Sequence, residues 1–208
     1  MHDRIEPVAA CAHLANDPVM ADIMQEVGPF VGWPPSSNPF RALSRSIIFQ
    51  QLSGKAAGTI FGRFIGIWGL EGDAFPTPEQ VLAVEEERLR AAGLSRQKMA
   101  SVRSLAEHFA NGELSLTHFG RWDDEEIIAH LTRVRGVGRW TAEMFLMFHL
   151  GRPDVLPVND VGINRAMMRR YALESLPKPD DVRRIGAQWR PWATVACWYL
   201  WRSEDVTT

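Results

Sequence analysis

The sequence predicts an all-α protein. Apolar residues recur at three- and four-residue spacing along most of its 208 residues, as in Ala56, Ala57, Ile60, Phe61, Phe64, Ile65 and Trp68. Helix-start signals stand in front of such stripes, and no run alternates polar and apolar residues between hairpin turns. About ten helices are expected.

Taken in order, Asp17-Pro18 reads as an N-cap followed by proline in the first turn, with Gly28 as the stop. The proline-rich stretch Gly28–Pro39 is the best candidate boundary. Asn38-Pro39 opens a helix carrying Leu43, Ile47 and Ile48, which Gln50-Gln51-Leu52-Ser53-Gly54 breaks. Thr77-Pro-Glu-Gln80 is a capping box, and Val102, Leu105, Ala106 and Phe109 mark a helix ending at Asn111-Gly112. The expected organisation is a single domain, 1–208, in two lobes. One is about 36–118; the other is about 1–35 plus 119–208, with a helix-hairpin-helix at 123–150.

The chain centres on Leu131-Thr-Arg-Val-Arg-Gly-Val-Gly-Arg-Trp-Thr-Ala-Glu-Met144, read as helix, glycine hairpin and second helix. Asp123 and Glu126 cap the first helix; Thr141, Met144, Phe145 and Phe148 stripe the second. Gly136 and Gly138 flank Val137, where so short a hairpin needs positive backbone angles or a close approach. A lone glycine pair is equally a plain helix corner. Here the amides of the hairpin and of the following helix form an anion site, ringed by Arg133, Arg135 and Arg139.

After it, Gly151-Arg-Pro-Asp-Val-Leu-Pro-Val-Asn-Asp160 cannot be helical through its prolines. A helix follows from about Val161 to Tyr171, and Arg190-Pro191 starts the last. Asp160 reads as an N-cap, or as a carboxylate presented by a fixed loop; Asn159 could fill the cap and free it. Eight tryptophans are present (Trp33, Trp68, Trp122, Trp140, Trp189, Trp192, Trp198 and Trp201), most of them expected in the core. His108, His118, His130 and His149 show no ligand spacing and are read as structural.

Composition narrows the classes. With 46% apolar residues a core is affordable, and no run of about 18 apolar residues predicts a membrane span. The start Met1-His-Asp-Arg-Ile-Glu lacks an apolar signal core. Two distant cysteines, Cys11 and Cys197, suit a reduced compartment and cannot supply a four-thiolate iron–sulfur cluster. A net charge of −2 is low for a nucleic-acid binder, but the acids cluster at Glu85–Glu87 and Asp123–Glu126, so a local basic face survives.

Helix, Gly-Val-Gly-Arg-Trp-Thr-Ala hairpin, helix and the loop Leu-Pro-Val-Asn-Asp resemble the helix-hairpin-helix DNA glycosylase superfamily. Ile-Ile-Phe-Gln-Gln-Leu-Ser-Gly-Lys-Ala-Ala and Arg-Pro-Trp-Ala-Thr-Val-Ala-Cys-Trp-Tyr-Leu-Trp are similar to its 3-methyladenine DNA glycosylase II (AlkA) branch, without that branch's N-terminal β-lobe. The resemblance covers about 13–203. It implies a monofunctional hydrolase of alkylated, cationic purines in base excision repair, acting on double-stranded DNA with damaged bases. Asp160 would be its catalytic carboxylate. Trp140, Trp198 and Met144 would line the base pocket. Gly136, Val137, Gly138, Arg139 and Thr141 would bind DNA, and Gln51 or Leu52 would fill the hole left by the flipped base. Trp140 stands where strand-cutting relatives carry a lysine, so no lyase step is expected. No cofactor is implied for catalysis; a structural Na+ or K+ would sit on the main-chain carbonyls of Thr132, Val134 and Val137. A monomer in a bacterial cytoplasm, associated with the nucleoid through DNA, is expected. The rivals are the same fold acting on uracil or hypoxanthine, a non-catalytic lesion-binding protein, and a helical adaptor without phosphate affinity.

Overall fold

The computed structural model describes residues 5–32, 38–52, 54–70 and 74–206. Trp33, Ser53 and the part of the predicted connector at 33–37 lie outside the described residues. In chain order the helices are α1 (Pro7–Leu14), α2 (Pro18–Val27), α3 (Pro39–Phe49), α4 (Gly54–Gly66), α5 (Pro78–Ala83), α6 (Glu86–Ala91), α7 (Arg96–Ala110), α8 (Leu116–Arg121), α9 (Asp124–Leu131), α10 (Arg139–Phe148), α11 (Val161–Arg170), α12 (Pro179–Gly186) and α13 (Ala193–Val206), with one 3-10 turn at Ala187–Trp189. No strand occurs among the described residues.

Among the described residues there are thirteen α-helices, against the ten expected. Among the short ones, α5, α6 and α8 have six residues each, fewer than two turns, too few for a periodic stripe to declare itself. The predicted starts hold. Asp17 Oδ1 accepts from the Val19 amide at 3.0 Å and Asn38 Oδ1 from that of Arg41 at 2.9 Å. Both halves of the capping boxes form at Thr77/Gln80 and Asp123/Glu126.

The chain divides into two compact units, 36–145 and 1–35 plus 146–208. Residues 119–145 therefore belong with 36–118, not with the second lobe as the sequence suggested. The reason is packing that sequence separation hides. Phe119 sits edge-on to Phe109 at 6.4 Å and to Phe145 at 5.0 Å, tying α8 and α10 to α7. In this unit α3, α5 and α6 pack on α7, and α4 on α3. Its core includes Leu43, Ile47, Phe64, Leu89 and Leu105, all fully buried. The other unit is built on α13, which packs against α2 and α11 and buries Val195, Ala196 and Leu200 with Met20, Ile23 and Met167. Helix α10 runs through the division between residues 145 and 146.

Candidate active site and nucleic-acid interface

In the 36–145 unit, the hairpin is anchored from below. Val134 and Val137 are buried, and the Val137 amide donates to the Val134 carbonyl at 3.0 Å. Gly136 has φ +77°, and a Cβ there would lie 2.3 Å from Ser101 Oγ, so two independent constraints demand glycine. Gly138 differs. A Cβ on it would meet nothing within 4 Å, so neither reason for glycine applies. The Arg135 amide donates to Ser104 Oγ at 3.3 Å. Immediately beyond, the first-turn amides of α10 lack intrahelical acceptors, which is the chemistry of an anion seat.

Charge around this seat is less simple than the arginine count implied. Arg139 donates to Glu125 through both terminal nitrogens, one of them at 3.0 Å, and through Nε to Glu143 at 3.0 Å. The Glu125 hydrogen bond raises the Arg139 pKa, and the same bond lowers that of Glu125. Arg139 thus meets two carboxylates, one of them 14 residues upstream. Arg133 and Arg135 remain exposed. Thr141, expected at DNA, is only 3% exposed, and its Oγ1 accepts from Gln50 Nε2 at 3.2 Å. Its hydroxyl serves the interior because the first turn of α10 lies against the Gln50 side chain.

The α3–α4 break presents two of its predicted residues outward. Gln51 has φ +57°, a left-handed conformation that a side chain adopts at some cost, and Leu52 is 39% exposed. On α10, Trp140 is 43% exposed and Met144 is buried. The carbonyls of Thr132, Val134 and Val137 are neutral oxygen donors, suited to a hard monovalent ion rather than a transition metal. Among the described residues, no cluster of His, Cys, Asp and Glu could hold a metal.

In the 1–35/146–208 unit, the 151–160 segment is pinned from within. Thr194 Oγ1 donates to the Arg152 carbonyl at 2.7 Å and accepts from the Val155 amide at 3.0 Å, while Arg190 pairs with Asp154 at 2.8 Å. The Asp160 amide closes a turn on the Pro157 carbonyl at 3.0 Å, and Asn164 Nδ2 reaches the Val158 carbonyl at 3.2 Å. Asp160, 6% exposed, caps α11 itself, with Oδ1 accepting from Ile163 N at 2.8 Å. Asn159 therefore does not relieve it of the cap. The same oxygen accepts from Trp201 Nε1 at 3.0 Å.

Trp201 is the residue the sequence left in the core. Trp198, predicted to line the pocket, is 5% exposed and sits edge-on to Phe30 at 5.0 Å and to Tyr199 at 4.9 Å. One turn further along α13, Trp201 is half-buried, hydrogen-bonds Asp160 and lies 5.7 Å from the ring of Phe148. The signal that could have found Phe148 is its spacing: Trp140, Met144 and Phe148 recur every fourth residue of α10. The histidines stay outside this chemistry. His118 and His130 both stack on Trp122, with ring centroids 4.7 and 3.9 Å away, and burial lowers the His149 pKa to about 4. A groove of about 710 Å³ on the 36–145 unit, lined by Phe40, Phe75 and Phe109, contains no titratable side chain.

An all-helical chain with a glycine hairpin that offers amides to an anion, followed by a braced loop that presents a carboxylate, has the make-up of a helix-hairpin-helix DNA-repair protein. A family model described as HhH-GPD superfamily base excision DNA repair protein matches residues 44–191, and the chain belongs to that superfamily. It is 37% identical over 169 residues to DNA-3-methyladenine glycosylase 1 of Schizosaccharomyces pombe, covering 81% of this chain and 73% of that one. Among solved structures, S. pombe 3-methyladenine DNA glycosylase (Mag1) in complex with abasic DNA superposes with a TM-score of 0.83 at 34% identity, over 95% of this chain and 97% of that one. The DNA-3-methyladenine glycosidase of Bacillus halodurans gives 0.81 at 36% identity, over 100% and 92%. Among the described residues, no helix is long and apolar enough to cross a membrane.

Proposed function

We propose that this protein is a monofunctional DNA glycosylase that releases cationic alkylated purines, 3-methyladenine foremost, from duplex DNA. The observation that carries this is Asp160: a buried carboxylate on a braced loop, held by a helix amide and an indole N–H on one oxygen. The names of the relatives, which specify 3-methyladenine, supply the substrate class.

The hairpin amides grip a backbone phosphate, and the damaged nucleotide leaves the stack. As the bond from C1′ to the base nitrogen lengthens, positive charge develops on the sugar. A fixed carboxylate stabilises that charge without having to reorganise, which is why Asp160 is braced. Water oxygen then bonds to C1′ and loses a proton, and the base departs with the bonding electron pair. A base methylated on a ring nitrogen carries a positive charge, so it leaves neutral and needs no general acid. Trp201, hydrogen-bonded to Asp160, offers an aromatic face to such a cation, worth on the order of 1 kcal/mol. The carbonyls of Thr132, Val134 and Val137 would hold Na+ or K+ as a structural ion that adds positive charge at the phosphate grip. Trp140 offers no amine, so the product is an intact abasic strand.

The test is a panel of duplexes bearing 3-methyladenine, 7-methylguanine, hypoxanthine or uracil, scored for free base. Fastest release of 3-methyladenine, with no borohydride-trapped adduct, is expected. Faster release of uracil than of 3-methyladenine would overturn the substrate assignment, and a trapped covalent adduct would overturn the monofunctional one.

A further inference from the structure

Gln50 is absent from the residues that the sequence marked for DNA, yet the structure places it at a junction. We propose that Gln50, seconded by Lys98, is a positioning residue. It locks the outward turn at Gln51-Leu52 to the glycine hairpin, so that displacing a base and gripping its phosphate occur in fixed register. The proposal rests on the reading of the protein as a glycosylase that flips bases out of duplex DNA.

The side-chain amide of Gln50 has two hydrogens. One goes to the Gly136 carbonyl at 3.0 Å, inside the hairpin and 86 residues away; the other goes to Thr141 Oγ1 at 3.2 Å, on the first turn of α10. Its own carbonyl is claimed from the opposite side. Lys98 Nζ donates to it at 2.7 Å and also to the Ile48 carbonyl, closing the end of α3, where carbonyls lack helical partners. Gln50 is therefore fixed through both main chain and side chain. The next residue enters the left-handed conformation that turns Gln51 and Leu52 outward.

Helix α7 is the common strut. Lys98, Ser101 and Ser104 follow one another at three-residue spacing along it. Lys98 holds the turn, Ser101 lies under Gly136, and Ser104 takes the Arg135 amide. One face of one helix thus sets the position of both the turn and the hairpin. This matters only on a duplex. A single strand has no stack to fill, so the register between turn and hairpin is irrelevant to it.

Gln50→Glu and Gln50→Met keep the length of the side chain and remove the two donors; the glutamate also sets a carboxylate against the Gly136 carbonyl. Melting temperatures are measured first, with Lys98→Met as an independent variant. In single-turnover release of 3-methyladenine, the duplex rate is expected to fall about tenfold in the Gln50 variants, the scale of a lost pair of hydrogen bonds, with the single-strand rate near wild type. Lys98→Met should fall in the same direction, and the double variant should lose less than the product of the two singles. A second arm needs no catalysis. A duplex holding a tetrahydrofuran abasic site beside 2-aminopurine should brighten on binding wild type and stay dim with the Gln50 variants. Equal losses on duplex and single strand, unchanged rates on both, or undiminished brightening would overturn the proposal. A wild type that brightens the probe but releases no alkylated purine would overturn the glycosylase reading and leave the coupling standing.

Discussion

Asp17 and Asp160 begin as the same object. Each is an aspartate at the N-cap of a ten-residue helix in the same compact unit, each is about 95% buried, and each accepts an indole N–H at 3.0 Å. They differ in the exposure of what surrounds them. Asp17 takes the Val19 amide on Oδ1 and collects both Tyr171 OH, at 2.6 Å, and Trp189 Nε1 on Oδ2. Its environment is a closed polar knot beneath a fully buried tryptophan, and burial drives the Tyr171 pKa far upward. At Asp160 the cap amide and the indole meet on Oδ1, beside an exposed Val161 and a half-buried Trp201. Burial and hydrogen bonding alone do not separate the structural cap from the carboxylate proposed to react; the exposure of their neighbours does.

The largest expected effect separates the two. Asp160→Asn should lower base release on the order of 10³-fold, because the carboxylate's charge is needed where the sugar becomes positive. Asparagine caps as well as aspartate, so melting should barely move. Asp17→Ala should do the reverse: about 3 kcal/mol of stability lost, from a missing cap and two stranded buried donors, with turnover per folded molecule unchanged. Chemical denaturation paired with single-turnover kinetics reads both. If Asp160→Asn turns over near the wild-type rate, Asp160 is a cap like Asp17.

The indoles give the next contrast. Trp201→Phe keeps an aromatic ring but removes the donor to Asp160, and base release should fall about tenfold with little change in DNA affinity. Trp189→Phe removes the matching donor to Asp17 and should cost stability alone, about 1–2 kcal/mol. Equal behaviour of the two variants in the release assay would erase the distinction between the sites.

Much of this was legible beforehand. The helical class, the caps at Asp17, Asn38, Thr77 and Asp123, the hairpin and the position of Asp160 all follow from local rules, which neighbouring residues express directly. What stayed hidden depends on partners distant in sequence. Trp198 and Trp201 lie one turn apart on a helix largely buried, so periodicity could not say which indole meets Asp160. The engagement of Arg139 by Glu125, and of Gly136 by Gln50, spans 14 and 86 residues, beyond any local pattern. Placing residues 119–145 in the wrong lobe has the same origin: the Phe109–Phe119–Phe145 contacts appear only once the chain is folded.

The smallest effect is the most discriminating. At Asp17 the second residue of the helix is Val19, which carries a full side chain. At Asp160 the corresponding residue is Gly162, and a Cβ there would lie 3.1 Å from Trp201 Cδ1 and 3.2 Å from both Trp201 Nε1 and Asp160 Oδ1. These separations are a few tenths of an ångström too tight, so alanine must push the indole or the carboxylate aside. Alanine also favours a helix over glycine by about 1 kcal/mol. The two consequences oppose each other in different observables. Gly162→Ala should leave the melting temperature level or slightly raised, while base release falls by about two- to fivefold, the cost of a small misplacement of a braced charge. Tryptophan emission should report the displaced indole. A variant that is both less stable and fully active would mean that the glycine serves packing alone, and that Asp160 and Trp201 tolerate movement as readily as a structural cap would.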